Sequence, residues 1–224
     1  MALDNGQDIS RIENVPLRMM VADIIRQAIV NGTMRPGTPI IEMALAEQLN
    51  VSRAPVREAI QILEADGLIE SEPYKGKRVK RLTAREVEEV YSLREQFEAF
   101  AVRRIVERKV DVSGLRAHVE TMFDAAERKD FAALMTADEA FHRELIGLAD
   151  HGLLLTLWDN LTLRIRQIMA LRNSANRNLK AVAENHPPIL DAIEKGDMIL
   201  AISLISDHTR SASQISAADL GETP

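Results

Sequence analysis

The 224-residue chain contains no cysteine, one tryptophan, two tyrosines and five phenylalanines. Without thiols it can form no disulfide framework, no thiolate zinc site and no cysteine nucleophile, so any metal has to be held by histidine and carboxylate. Aromatic residues make up only 4%, while Ala, Leu, Ile, Val, Glu and Arg are abundant, which disfavours all-β folds and predicts a mainly helical protein. Long apolar runs are missing too: none approaches the roughly 18 residues that span a bilayer. The opening MALDNGQDIS is polar and acidic rather than signal-like, so no membrane association and a cytoplasmic location are expected. An overall positive charge is also lacking. The formal net charge is −6, which excludes a nucleic-acid binder that works by bulk charge and leaves the matter to local clustering.

The length suits two modest domains. After a flexible segment 1–15, Leu17, Val21, Ile24, Ile25 and Ala28 recur at helical spacing and stop at Asn31-Gly32. A short helix over about 42–49 carries Ala44, Leu45 and Leu49, and Asn50 tolerates the left-handed turn that follows. Ser52 is expected to cap a third helix reaching about Ala65, with Val56, Ile60 and Leu63 facing inward. Leu68–Ser71 and Arg78–Arg81 read as strands flanking the turn Pro73-Tyr74-Lys75-Gly76. Three helices with a tight second turn and a basic hairpin describe a winged helix-turn-helix over 16–81. Thr83 and Glu86 then form a capping-box pattern that opens an all-helical domain over 82–216. Its helices are predicted at about 83–109, 113–128, 130–149, 153–173, 177–195 and 198–215, ahead of a flexible tail 217–224.

A DNA-reading helix needs cations and amides opposite its core stripe, because phosphate contacts set affinity and base edges set specificity. Arg53, Arg57 and Gln61 form such a row at i, i+4, i+8. Ser52 at the helix start is placed to meet a phosphate, and Lys75, Lys77, Arg78, Lys80 and Arg81 gather charge on the hairpin, with Gly76 permitting close backbone approach. The alternative is a row of solvated charges beside an ordinary edge ribbon.

The helical region carries polar residues on apolar faces. Asp138 and His142 fall within the stripe Phe131, Leu134, Met135, Phe141, Leu145 and Ile146. His186 points with Ile189, Leu190 and Ile193, and His208 with Ala201, Leu204 and Ile205. An isolated buried carboxylate costs several kcal/mol, roughly, so such groups pair or ligate. One Asp and three imidazoles suit a divalent ion, zinc foremost, with nickel or manganese as alternatives. Asp138 simply paired with His142 is the competing account. Arg94 lies in the stripe Val87, Val90, Tyr91, Phe97, Ala101 and Ile105, where its guanidinium serves either a carboxylate clamp or an ion pair with Glu98 or Glu95. Arg164 or Arg166 is a candidate to complete the pocket. His118 and His151 read as surface or cap residues.

Two resemblances follow from these residues. The run from Leu45 to Ile69, with Val51-Ser-Arg-Ala-Pro-Val-Arg-Glu58 at its centre, resembles the DNA-binding domain of GntR-family regulators. It implies that Arg53 and Arg57 touch operator bases or phosphates and that Gly76 sits at the wing tip over the minor groove; where many relatives carry Arg near the start of the second helix, this chain has Met43. The set Asp138-x-x-x-His142, Glu-Asn-His186 and Asp-His208 resembles the FCD ligand-binding domain of the FadR-type subgroup, and implies that these four residues are metal ligands and that Arg94 faces the ligand. The expected function is a homodimeric transcription regulator that binds a double-stranded operator of two-fold-related half-sites and senses a small carboxylate effector at the metal. Two alternatives stand beside it: the same regulator with a metal-free pocket for an acyl or apolar effector, and a metal-dependent hydrolase or lyase, disfavoured because no obvious general base stands beside the ligands, although Glu139, Glu144 and Glu184 are nearby in sequence.

Overall fold

A computed structural model describes residues 15–172, 178–214 and Leu220, and the chain divides into two compact units, the second of which takes in residues 30–32 and everything from Arg81 onward. Residues 1–14 of the expected flexible start, and the tail other than Leu220, lie outside the described residues. No helix among the described residues is long and apolar enough to cross a membrane.

The first unit contains α1 (Leu17–Val30), β1 (Pro39–Ile40), α2 (Glu42–Gln48), α3 (Arg53–Ala65), β2 (Ile69–Glu72) and β3 (Gly76–Val79). Its buried residues include Val21, Ala22, Ile25 and Ile29 of α1, Val56, Ile60 and Leu63 of α3, and Leu68 and Val79. The α1 stripe is rotated from the expected one: Leu17 and Ile24 are exposed, and Ile24 borders an apolar groove with Ile41, Ala44 and Leu45. On α2 it is Ala46 rather than Ala44 that is buried. Asn50 is left-handed at φ 53°, so α2 and α3 are joined tightly. The hairpin is present but shifted, with Ile69 opposite Val79 and Glu72 opposite Gly76. Tyr74 and Gly76 both adopt positive φ at its tip, and for Gly76 that conformation carries no side-chain penalty. A strand not expected, β1, pairs antiparallel with β3 and makes β3 central. Two residues are too few to show an alternating pattern.

The second unit is helical: α4 (Ala84–Arg108), α5 (Leu115–Glu127), α6 (Phe131–Leu148), α7 (Gly152–Arg172), α8 (Leu179–Glu184), α9 (Pro187–Glu194) and α10 (Met198–Ser213). Its ends follow local chemistry. Thr83 accepts from the Glu86 amide while the Glu86 carboxylate takes the Thr83 N–H, a reciprocal box that starts α4. Asp130 caps α6 and Asp197 caps α10. The helix expected over 177–195 is two helices, because Pro187 and Pro188 supply no amide and are tolerated only in a first turn, which is where α9 places them. Long α4 packs against α6, α7, α9 and α10. The main core joins Ile105, Leu115, Met122, Leu134, Phe141 and Leu190, and a second cluster gathers Ala101, Ile146, Leu154 and Trp158. Leu220, from the tail expected to be loose, is 5% exposed and packs with Leu82, Val87, Tyr91 and Ile168. One apolar residue in a polar tail has no periodicity to announce it.

The capping box gives a direct test. Thr83→Ala should cost about 1 kcal/mol, lowering the melting temperature of the helical unit by a few degrees in calorimetry. Adding Glu86→Ala should cost less than the sum of the two single changes, since both remove one reciprocal pair.

Candidate functional site

On α3 the residues expected to face DNA are exposed and the opposite face is closed: Val56, Ile60 and Leu63 are fully buried, while Ser52, Arg53, Arg57 and Gln61 face solvent. Ser52 holds the N-cap position with an extended backbone, yet its side chain makes no capping hydrogen bond. This corrects the expectation that it caps α3. A capping hydroxyl reaches the second or third helical amide, and the third residue here is Pro55, which has none. A carboxylate gathers the two arginines: Glu42 Oε2 lies 3.3 Å from Arg57 Nε and 3.6 Å from Arg53 Nη2. The wing repeats the pattern. Lys77 Nζ and Ser71 Oγ both reach Glu64, at 2.5 and 2.6 Å, and Glu72 pairs with Lys75 at 3.2 Å and with Arg78. Lys75 and Gly76 stand exposed at the tip.

The helical unit brings Asp138, His142, His186 and His208 together: one ligand atom from each lies within 4.8 Å of all the others. The i,i+4 step on α6 supplies two of them, the break before Pro187 delivers His186 from the α8–α9 junction, and α10 supplies His208. Asp138, His142 and His186 are buried and His208 is partly so. Phe141 packs edge-on to both His142 and His186, with ring centroids 5.2 and 4.7 Å apart.

The imidazoles are oriented one by one. His186 Nδ1 lies 3.0 Å from the Val182 carbonyl, so it carries the proton and donates. That leaves a bare Nε2, buried and without a hydrogen-bond partner, 3.3 Å from Asp138 Oδ1. Two lone pairs at that separation repel unless a cation or proton lies between them. His142 Nε2 faces His208 Nε2 at 3.1 Å, which presents the same demand. An ion with bonds of about 2.1 Å spaces its ligands roughly 3 to 4 Å apart, so the donor set suits a divalent cation in its chemistry, and the 3.1 and 3.3 Å separations fall in that range.

Beside the cluster lies a buried ion pair that the sequence placed only in part. Arg94 donates from Nε to Glu98 Oε1 at 2.6 Å, and both side chains are at most 2% exposed. The terminal nitrogens of Arg94 make no hydrogen bond among the described residues, while its guanidinium carbon sits 5.5 Å from the Tyr91 ring centre and 5.9 Å from that of Trp158. The other oxygen of Glu98 is 2.9 Å from His142 Nδ1. Sequence reasoning named Glu98 only as a partner for Arg94, and nothing in the spacing of α4 reports a contact with α6. Trp158, 2% exposed with an unpartnered Nε1, was also missed; its ring centre is 6.5 Å from that of His142.

Other candidates are engaged elsewhere. Arg164 contacts Gln167 at 3.4 Å, and Arg166 grips Glu139 with both Nε and Nη2. Glu144 pairs with His118 and Glu184 with Lys180. His151 Nδ1 accepts from the Leu154 amide as a cap.

Burial would raise the Glu98 carboxyl, but His142 and Arg94 hold it at about 2. Burial opposes ionisation of Asp138 as well, and the same rings with Arg94 keep it below the usual carboxylate range. Burial draws His142 and His208 below the ordinary imidazole value, so both are neutral, ligand-ready rings near pH 7. The sign for stability follows: between the ordinary histidine value and the lower folded one, the unfolded chain binds protons that the folded chain refuses. Metal-stripped protein should therefore lose thermal stability as pH falls from 7 to 5. His142→Asn combined with His208→Asn should flatten that slope; equal slopes would show that these rings do not titrate abnormally.

Comparison with known proteins agrees with both halves. The sequence profile described as bacterial regulatory proteins, gntR family, matches residues 17–79, and that of the FCD domain matches residues 89–211. The chain is 33% identical over 199 residues to a protein of Paenarthrobacter nicotinovorans named "Probable D-xylose utilization operon transcriptional repressor", covering 88% of each. It is 30% identical to the gluconate operon transcriptional repressor of Bacillus licheniformis, over 84% of this chain and 80% of that one. A solved GntR transcriptional regulator from Rhodococcus sp. RHA1 superposes with a TM-score of 0.77 at 28% identity, over 92% of this chain and 99% of the other. These relatives are regulators, not enzymes. The chain belongs to the GntR family of bacterial regulatory proteins: it is a DNA-binding transcriptional regulator with an N-terminal winged helix-turn-helix and a C-terminal FCD domain.

Proposed function

We propose that this regulator senses a small organic acid at a divalent metal site formed by Asp138, His142, His186 and His208, and that occupancy of the site modulates operator binding. The observation that carries the reading is the convergence of four ligand atoms within 4.8 Å, with the bare His186 Nε2 facing Asp138. Charge supports it further. Arg94 and Glu98 cancel and burial keeps His142 and His208 neutral, so a divalent ion beside Asp138 adds positive charge in a buried place, which an anionic ligand would balance. When bound, the ion supplies Lewis acidity and coordination positions beyond those the protein fills, suited to carboxylate or hydroxyl oxygens. Arg94 offers its terminal nitrogens as a fork for a carboxylate, and Arg164 is the second candidate for that ligand. Because two similar repressors are named for gluconate and D-xylose utilization operons, the first ligands to test are sugar acids, beginning with gluconate.

The DNA-facing set in this reading is Ser52, Arg53, Arg57 and Gln61 on α3 with Lys75, Gly76 and Lys77 on the wing, used twice by a homodimer on two-fold-related half-sites. Effector binding acts by shifting the population of arrangements available to the two recognition helices.

Thermal shift tests the sensing half. An ion present at 100 times its dissociation constant should stabilise stripped wild type by about 2.7 kcal/mol, and gluconate should add a further rise only with metal present. His142→Ala should lose both responses and Arg94→Gln the second. No response of wild type to zinc, nickel or manganese would remove the metal; a response to acyl ligands alone would favour a metal-free pocket. For DNA, Lys75→Ala should weaken binding to any duplex and reduce the salt slope by about one. Arg57→Ala should cost more on the preferred operator, selected from random duplexes, than on unselected DNA. Equal losses on both would assign Arg57 to phosphate.

A further inference from the structure

Glu98 is fully buried and touches two functional side chains at once, with one oxygen on each. Oε1 accepts from Arg94 Nε at 2.6 Å, and Oε2 lies 2.9 Å from Nδ1 of His142 with neither of those two atoms in a formed hydrogen bond, while Nε2 of the ring is turned to His208 and Asp138. A histidine that ligates through Nε2 must keep its proton on Nδ1, and a buried N–H needs an acceptor. His186 meets that need with the Val182 carbonyl. His142 has the Glu98 carboxylate 2.9 Å away, where realignment of the ring would complete a charge-assisted hydrogen bond that fixes the tautomer more firmly than a neutral carbonyl does. A simple structural ion pair with Arg94 would use Glu98 without placing its second oxygen on a ligand ring from another helix.

We infer that Glu98 is a positioning residue that joins the cation site to the anion clamp: it accepts the Nδ1 proton of His142, so that Nε2 is presented to the ion, while holding Arg94 by Nε with its terminal nitrogens free. The inference rests on the metal-site reading above. The same carboxylate couples the two sites, because a shift of Arg94 toward a bound acid moves the group that orients His142.

The test uses full-length protein stripped of metal and titrated with zinc against a chromophoric chelator. Glu98→Gln should bind zinc roughly ten- to a hundredfold more weakly than wild type. In nitrogen-15 spectra of the zinc-loaded proteins, the downfield Nδ1–H resonance of His142 should move upfield in the variant, a change that a purely structural role would not produce. Should Glu98→Gln fail to fold because Arg94 is left uncompensated, Arg94→Gln with Glu98→Gln removes both charges together and should show the same weakening. Asp138→Ala tests the site itself. Zinc affinity and the His142 signal unchanged in the Glu98 variants, with Asp138→Ala impaired, would overturn the role of Glu98 and leave the metal site standing. Wild type that binds no zinc would overturn both.

Discussion

The helical unit is organised around one electrostatic constraint: the charges enclosed in its core must satisfy one another. An unpaired ion costs several kcal/mol, roughly, even after relaxation, a large part of the about 5–15 kcal/mol that holds a domain folded. Arg94 and Glu98 meet the constraint as a pair within α4. Asp138 has no such partner, since it stands beside His142, which burial keeps neutral, and His186. One carboxylate and three lone-pair donors therefore remain with unfilled bonding capacity among Phe141, Leu145 and Leu190, side chains that offer none. A core built only for stability would place a leucine or methionine at position 138.

Local structure serves that constraint at each helix end. The proline pair that divides α8 from α9 looks like a defect in a helical pattern, but it places His186 at a helix start with the Val182 carbonyl in reach of Nδ1. Asp130 fixes the start of α6, and with it the angular position of Asp138 and His142, through one side-chain hydrogen bond. The hub helix α4 opens with the Thr83–Glu86 box and carries Arg94 and Glu98 one turn apart on its inner face. Caps, breaks and periodicity thus agree on where four side chains from three segments meet, the agreement across levels expected of a sequence that specifies one arrangement.

That agreement is why much of the site was legible in advance. The 3.6-residue period of α6 is strong enough to show that Asp138 and His142 interrupt an apolar stripe, and the same holds for Arg94 on α4. Glu98 was less legible because Arg94–Glu98 at i,i+4 reads as an ordinary helix pair, and its contact with His142 exists only once α4 and α6 are packed. Trp158 was hidden for the opposite reason: an apolar aromatic on an apolar helix needs no special explanation. In the first unit the errors came from short or broad signals. The two-residue β1 has no period, and the apolar face of α1 is wide enough that Leu17 and Ile24 joined the predicted stripe although they are exposed. The expected Ser52 cap lost one of its two acceptable donors to Pro55, which has no amide, and the hydroxyl does not take the other.

The same concern with paired charge governs the DNA-facing surface, with the opposite balance. Residues 16–81 carry ten Lys and Arg against eight Asp and Glu, so the unit is nearly neutral, and Glu42, Glu64 and Glu72 each hold two polar or cationic groups of the recognition helix and wing. Exposed pairs of this kind contribute about 0–1 kcal/mol, so a phosphate displaces them at little cost. Near neutrality of the unit is therefore no bar to DNA binding, because the cations of the recognition helix and wing remain at least partly exposed and each of their pairs is weak.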